Sequence, residues 1–497
     1  MHIEERKIGK LLMREKSLAA LAKYRNLSLP VKAALWFTIC NFLQKAFSLL
    51  TTPIFTRVLS TDEFGLVSTY YSLENVFVMF ATLSLSKAMN NLYVKYEDKH
   101  RVMASVIGLS LSVSTCFLII YLIFRGTIDK LLGIPTILIL GMFASFIGKG
   151  VVQCWMTFNR YVYKYKAVVF VTLLITALSS MMAVVLVFFY SPTAESRLLP
   201  EIVVYIIIGA IIALKVFARE RAYHDGEVWK FALAFSVPLL PHYLSEYVLG
   251  SSDKLMINYM CGYTDVAIYS LAHSVGTLVY LVTNAINSSF APYEYQAISK
   301  EKYKELSKVS TIVVAIVATV LSLIMLFCPE IVMIFGGSKY SESVHAIIPI
   351  CIGIFFSFVF QLFARVQEYY VRRLMVVIPS ILCAGLNLVL NYIFIKKYGY
   401  IAAAYTTLVC YLTFSILHYL FYLITIKKEL NGQRLYNIKQ IVFISIGLAA
   451  VGIISPLLFT NYIVKYAILI VCIIFAIIFR EKIIERTRGF IAVIKEK

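Results

Sequence analysis

The chain has 497 residues, of which 60% are hydrophobic and only 15% are charged. Soluble domains carry about 25% charged residues, so this composition excludes a water-soluble globular protein. The net charge of +20 would suit a nucleic-acid-binding protein. Lys and Arg fall mainly in short clusters between apolar segments, however, which is the pattern of membrane topology signals. We therefore predict that the chain is embedded in a lipid membrane and does not bind nucleic acid.

Long uncharged segments predict the fold class. Val102–Phe124, Ala167–Tyr190, Val309–Pro329, Leu374–Ile395 and Tyr398–Ile426 contain no Asp, Glu, Lys or Arg. Each has the roughly 20 residues that a helix needs to cross ~30 Å of hydrocarbon. Lipid cannot satisfy backbone polar groups, so such segments must be helical. The prediction is an all-α polytopic membrane protein.

The hydropathy pattern predicts about fourteen transmembrane helices. Basic residues concentrate in alternate loops, which places both termini in the cytoplasm. The predicted spans are 32–56, 64–90, 102–124, 131–156, 167–190, 200–218, 231–250, 264–290, 309–329, 345–364, 374–395, 399–426, 440–460 and 462–479.

A weak internal repeat divides these spans. Thr61–Ser68, which enters the second span, matches Tyr263–Ser270, which enters the eighth. Six spans separate the two copies, so the repeat is parallel. Chance similarity between apolar sequences is the alternative. The predicted domains are a basic amphipathic cytoplasmic segment at 1–31, an N-lobe at 32–230, a C-lobe at 231–428, and two further helices with a basic tail at 429–497.

The segment 1–31 alternates basic and apolar residues. Such a pattern is typical of a helix on the cytoplasmic leaflet. A disordered basic tail is the alternative interpretation.

Five short segments stand out in the sequence: Thr52–Gly65, Ser252–Asn258, Ile268–Ser270, Ala285–Asn287 with Pro292, and Tyr398–Ala404. Together they resemble a known transporter family, the Wzx-type oligosaccharide flippases of the multidrug/oligosaccharidyl-lipid/polysaccharide exporter superfamily. The resemblance implies two lobes around a central cavity and alternating access. It also implies a polyprenyl-diphosphate-linked oligosaccharide as cargo, for polysaccharide or O-antigen biosynthesis in the bacterial cytoplasmic membrane, with other polysaccharide assembly proteins as partners.

Ionisable residues inside membrane spans are candidates for function. Lys45 shares one polar face of the first span with Asn41 and Ser48. Lys149 shares a polar face of the fourth span with Gln153 and Thr157, and Lys87 lies near the inner end of the second span. Three lysines in one lobe could form a cationic cavity for the diphosphate of the cargo. The alternatives are snorkelling of Lys87 to the interface and a structural ion pair between Glu74 and one of the lysines.

The C-lobe has its own polar positions. His242 and Glu246 lie four residues apart in the seventh span, which Pro238 and Pro241 should break. Asn387 and Asn391 share a face of the eleventh span. By resemblance to cation-coupled relatives, Glu246 with the two asparagines and His242 form the candidate site for a coupling cation or proton. Hydrogen bonds that only hold helices together are the alternative for the asparagines.

The sequence contains no signal for catalysis, a metal or a cofactor. Gly148-Lys149-Gly150 lacks the Ser or Thr and the preceding strand of a phosphate-binding loop, and the nine cysteines form no CxxC pair. All loops are short. We predict a transporter, with a cation-coupled multidrug exporter of the same fold as the nearest alternative. A membrane glycosyltransferase or polysaccharide polymerase is the alternative from another class.

Overall fold

The structure, a computed structural model, describes residues 27–459, 461 and 463–467, without the side chains at positions 242, 245, 246, 249, 250, 289 and 373. In these ranges the chain forms 17 α-helices joined by short turns and no β-strand. Eleven of the helices are long and apolar enough to cross a membrane. The predicted all-α polytopic membrane fold is therefore confirmed.

The chain divides into two compact units. The first unit comprises the described residues up to Val58 together with Glu74–Pro241, and the second comprises Leu59–Leu73 together with the chain from His242 on. The first-unit helices, with α2 shared between the units, are α1 Leu29–Val58, α2 Thr61–Ala81, α3 Met89–Lys95, α4 Lys99–Ile123, α5 Arg125–Leu132, α6 Thr136–Tyr161, α7 Tyr165–Phe189, α8 Ala194–Glu220 and α9 Gly226–Ser236. The second-unit helices are α10 Leu240–Cys261, α11 Tyr263–Ser299, α12 Tyr303–Leu326, α13 Cys328–Phe335, α14 Ser343–Tyr369, α15 Arg373–Tyr398, α16 Tyr400–Glu429 and α17 Ile438–Ile454.

Three of the predicted spans differ from a single described helix. The second span was predicted to reach residue 90, but α2 ends at Ala81 because Leu83 and Ser84 adopt left-handed backbone angles. In the seventh, a 3₁₀ turn at Val237–Leu239 separates α9 from α10, which confirms the predicted proline break. The fourteenth predicted span, 462–479, lies almost entirely outside the described residues.

Small residues let helices of the first unit approach closely. A Cβ atom on Gly148 in α6 would lie 2.1 Å from the carbonyl oxygen of Tyr205 in α8, and one on Gly209 would lie 2.5 Å from the Cα atom of Gly148. On the other side of Lys149, a Cβ on Gly150 would lie 2.3 Å from Oγ of Ser110 in α4. Glycine at helix crossings is typical of membrane proteins. The Gly-Lys-Gly sequence therefore serves helix packing, because Gly148 lets α6 approach α8 and Gly150 lets it approach α4.

In the second unit, α14 packs against α11 and α16, and α16 also packs against α15. Buried apolar side chains from α11, α12, α14 and α16 form one continuous core. The two copies of the sequence repeat also touch here, since Thr264 donates a hydrogen bond to Asp62, its matching position. The polar groups of the second unit that are described below lie on α11, α14, α15 and α16.

Candidate functional site

A cavity of about 960 Å³ lies within the first unit and carries two cations. Lys87 and Arg160 are both exposed on its wall. Among the described residues that line it, none is a carboxylate. The cavity therefore offers positive charge and hydroxyl or amide groups to a ligand. The lining residues are Ser86, Lys87, Asn90, Tyr93, Gln153, Met156, Thr157, Arg160, Tyr161 and Tyr163.

Two local features build this cavity. Gln153, Thr157 and Arg160 follow each other at helical spacing along the end of α6, so they share one face. Lys87 ends the 3₁₀ turn Leu85–Lys87, and the left-handed residues just before that turn redirect the chain at this point. The predicted site residue Lys87 is therefore placed in the cavity together with Arg160. The predicted fourth span ends at residue 156, so the sequence alone places Arg160 in the following loop, where a basic residue indicates membrane topology.

Lys149 lies apart from that cavity, in a buried ion-pair cluster. Its Nζ atom is 2.7 Å from Oε1 of Glu74 and 3.2 Å from Oε1 of Glu201. The same atom lies 4.6 Å from the ring centroid of Tyr205. Lys149 is 7% exposed, so two carboxylates and an aromatic face replace most of the water around the ammonium group. The pairing of Glu74 with a lysine, which was one alternative from the sequence, is found at Lys149.

Lys45 and Asn41 lie on an exposed face of α1. Ser48, on the same predicted polar stripe, lines a smaller cavity of about 170 Å³ whose wall also includes Gln44, Arg197 and Glu201. Gln44 and Ser48 of α1 thus face this smaller cavity, and Lys45 and Asn41 are not among its lining residues. The structure does not bring Lys45, Lys87 and Lys149 to one described cavity.

The two predicted asparagines of the second unit are buried and bonded to each other. Nδ2 of Asn391 donates to Oδ1 of Asn387 at 3.1 Å, and Thr406 of α16 donates to Asn391. Asn387 in turn donates to Thr407 at 3.4 Å. These bonds join α15 to α16. The side chains of His242 and Glu246 lie outside the described set, so the structure does not place them relative to the asparagines.

A buried charged network in the second unit was missed by the sequence reasoning. Arg365 was assigned to a cytoplasmic loop, but α14 continues to Tyr369 and buries it. Its Nε atom lies 2.5 Å from Oε2 of Glu294, which was also expected in a loop and instead lies in α11. The phenol of Tyr436 donates to the same carboxylate. Burial, together with the nearby Glu294 charge, raises the pKa of Tyr436, so this phenol keeps the proton that it donates.

Two solved structures share this arrangement of helices. The lipid II flippase MurJ in an inward closed conformation superposes with a TM-score of 0.68 and 16% identity, over 90% of this chain and 100% of MurJ. An inward-facing multidrug resistance MATE transporter superposes with a TM-score of 0.56 and 14% identity, over 81% of this chain and all of the MATE chain. The chain thus has the fold of these two membrane proteins, and its eleven long apolar helices make it a multi-pass membrane protein.

Sequence comparison identifies the family within that class. The polysaccharide biosynthesis protein family matches residues 31–296, and the MatE family matches residues 238–393. A protein of the Lsg locus of Haemophilus influenzae is 22% identical over 327 residues, which cover 62% of this chain and 78% of the relative. The first match spans more than half of the chain. The protein belongs to the polysaccharide biosynthesis protein family.

Proposed function

We propose that this protein is a flippase that moves a polyprenyl-diphosphate-linked oligosaccharide across the bacterial cytoplasmic membrane by alternating access, for polysaccharide or O-antigen biosynthesis. The observation that supports the proposal is the cationic cavity with Lys87 and Arg160. A diphosphate leaving headgroup water needs positive charges and hydrogen-bond donors. The cavity offers both, and among the described residues no carboxylate on its wall opposes the ligand.

The proposal treats the chain as a transporter and not as an enzyme. The described connections between helices are short, which leaves no room for a folded catalytic domain. Lys45, Asn41 and Lys149 remain proposed contributors to cargo binding. If they act on the diphosphate, glycan export at matched protein levels should rank Arg above Gln above Glu at each lysine.

Orientation and coupling complete the proposal. Both termini are proposed to lie in the cytoplasm, so a cysteine introduced near Lys302 should resist a membrane-impermeant reagent in intact cells.

Glu246, with Asn387, Asn391 and His242, is proposed to bind the coupling cation or proton. Transport by Glu246→Gln should then no longer respond to an ion gradient. A normal response would leave Glu246 without a coupling role.

The main experiment follows a labelled polyprenyl-diphosphate oligosaccharide between the leaflets of proteoliposomes, with no bond made or broken. Lys87→Gln and Arg160→Gln should each slow its movement by roughly three- to tenfold, because solvent screening limits the effect of one exposed charge. Lys87→Arg should retain most of the rate. Lys164→Gln is the matched control, since Lys164 is exposed near the end of α6 but does not line the cavity.

The same experiment tests the second candidate function, cation-coupled drug export, which the MatE match over residues 238–393 favours. A drug exporter would move lipophilic cations and leave the lipid-linked sugar in place. Movement of a cationic dye without movement of the sugar lipid would contradict the flippase proposal. A new glycosidic bond in the vesicles would contradict both candidates and favour a glycosyltransferase.

A further inference from the structure

A second cavity, of about 630 Å³, lies within the second unit and has no part in the proposed diphosphate site. It is enclosed by α11, α14, α15 and α16. Aromatic rings form much of its wall, among them Phe360, Phe414 and Tyr411, and uncharged polar groups such as Gln361 and Ser380 lie between them. Small-molecule sites in proteins typically have this composition, in which an apolar lining contains a few polar groups that orient the ligand.

The charges on this wall are balanced. Arg365 lines the cavity, but its guanidinium is already held by Glu294. Glu368, which is exposed on the same wall, adds a second carboxylate, and Tyr295 donates to it at 3.3 Å. A diphosphate placed here would meet one neutralised cation and a nearby negative charge. The cavity therefore disfavours an anion and suits an uncharged ligand.

Arg365 and His418 both line the cavity, and each has one buried polar atom without a hydrogen-bond partner among the described residues, Nη2 of Arg365 and Nε2 of His418. Gln367 fixes the tautomer of His418, because its amide nitrogen donates to the backbone oxygen of His418 at 2.8 Å. Its amide oxygen must then accept from Nδ1 of the ring, at 2.9 Å. In a neutral imidazole with Nδ1 protonated, Nε2 is an acceptor. Nη2 of Arg365 thus lacks an acceptor, and Nε2 of His418 lacks a donor.

We propose that this cavity binds an uncharged sugar residue of the glycan that the protein carries. A sugar hydroxyl both donates and accepts hydrogen bonds, so it can serve the unpartnered atoms of both Arg365 and His418, and the apolar faces of a pyranose ring suit Phe360 and Phe414. Those two rings lie 4.2 Å apart between centroids and both contact the ring of His418. The identity of the cargo as a glycan rests on the proposed function. The cavity then selects the sugar, while Lys87 and Arg160 hold the diphosphate.

The test measures binding of free oligosaccharide to the purified full-length chain by saturation-transfer NMR. The probe is the oligosaccharide released by mild acid from the lipid-linked glycans of the cells that make the protein. Ser380→Phe should weaken binding at least about tenfold, because the added ring occupies the cavity. Ile381→Phe is the control, since Ile381 is the neighbouring residue on α15, is 59% exposed and does not line the cavity.

A second variant covers the case in which Ser380→Phe fails to fold. His418→Phe keeps the aromatic cluster and removes one hydrogen bond, so it should weaken binding roughly three- to tenfold. Inorganic diphosphate serves as the anionic probe. Its binding should fall in Lys87→Gln and remain unchanged in both cavity variants.

Three results would overturn the inference. The first is that no saccharide binds at a concentration of about 10 mM, which is above the Kd of even a weak site. The second is that the wild type and both cavity variants bind saccharide equally. The third is that Ser380→Phe loses diphosphate binding. A chain that binds saccharide as expected but does not move the lipid-linked sugar would contradict only the proposed function. Normal transport without dependence on Ser380 or His418 would contradict only the sugar site.

Discussion

The two units contain cavities that differ in how their charges are balanced. In the first unit, Lys87 and Arg160 are exposed on the cavity wall, and no described lining residue is a carboxylate. In the second unit, Arg365 is buried and already paired with Glu294, and Glu368 lies on the same wall. A cation that is exposed on a cavity wall can be reached by a ligand, whereas one that is buried in an ion pair mainly holds helices together. The sign of a side chain's charge therefore does not indicate its role until its surroundings are known.

The first unit contains the same contrast within itself. Lys149 is surrounded by Glu74 and Glu201, while Lys87 faces the open cavity. Both lysines were predicted to bind cargo for the same reason, a positive charge within a predicted span. Their different surroundings predict that loss of charge will lower stability at Lys149, whereas at Lys87 it will weaken ligand binding without a loss of stability.

The largest expected effect comes from the arginines of the two cavities. Arg365→Gln leaves Glu294 buried without its cation and should lower the free energy of unfolding by about 3–5 kcal/mol. Arg160→Gln, at an exposed position, should change it by no more than about 0.5 kcal/mol. Thermal unfolding of the purified variants in one detergent would measure both. Adding Glu294→Gln to Arg365→Gln should recover much of the loss, and equal effects of the two arginine variants would contradict the comparison.

The next effect separates the two lysines. Lys149→Gln should cost about 3 kcal/mol, because two carboxylates are left close together in a largely buried site. Glu74→Gln should cost less, since Lys149 keeps Glu201 at 3.2 Å. Lys87→Gln should leave the thermal midpoint unchanged. The same unfolding measurements would contradict this ranking if Lys87→Gln proved as damaging as Lys149→Gln.

The smallest effect concerns two glycines, one in each unit. Gly148→Ala forces a Cβ against the backbone of Tyr205 and should cost about 1–3 kcal/mol. Gly385→Ala, in the second unit, meets no atom within 4 Å and should stabilise α15 by about 0.5–1 kcal/mol. The two thermal midpoints should therefore shift in opposite directions. A shift in the same direction would show that the close crossing of α6 and α8 is not constrained as described.

Part of the candidate site could be read from the sequence. Gln153 and Thr157 were predicted to share a face of the fourth span, and they line the first cavity together with Lys87. Arg160 was not chosen, because a basic residue just beyond an apolar segment fits a topology signal equally well. Its position at helical spacing after Gln153 and Thr157 was the signal that could have identified it.

The hydrophobic pattern by itself determined the fold class and most helix positions, because the cost of exposing backbone or charge to lipid is local to each segment. The proline break before α10 could also be predicted, because the effect of a proline on a helix is local as well. Only the tertiary structure decided which charges are paired. Glu294 and Arg365 are 71 residues apart, and Lys149 and Glu201 are 52 apart. Whether such groups meet depends on helix crossings such as that of Gly148 with Gly209, and hydropathy carries no information about those contacts.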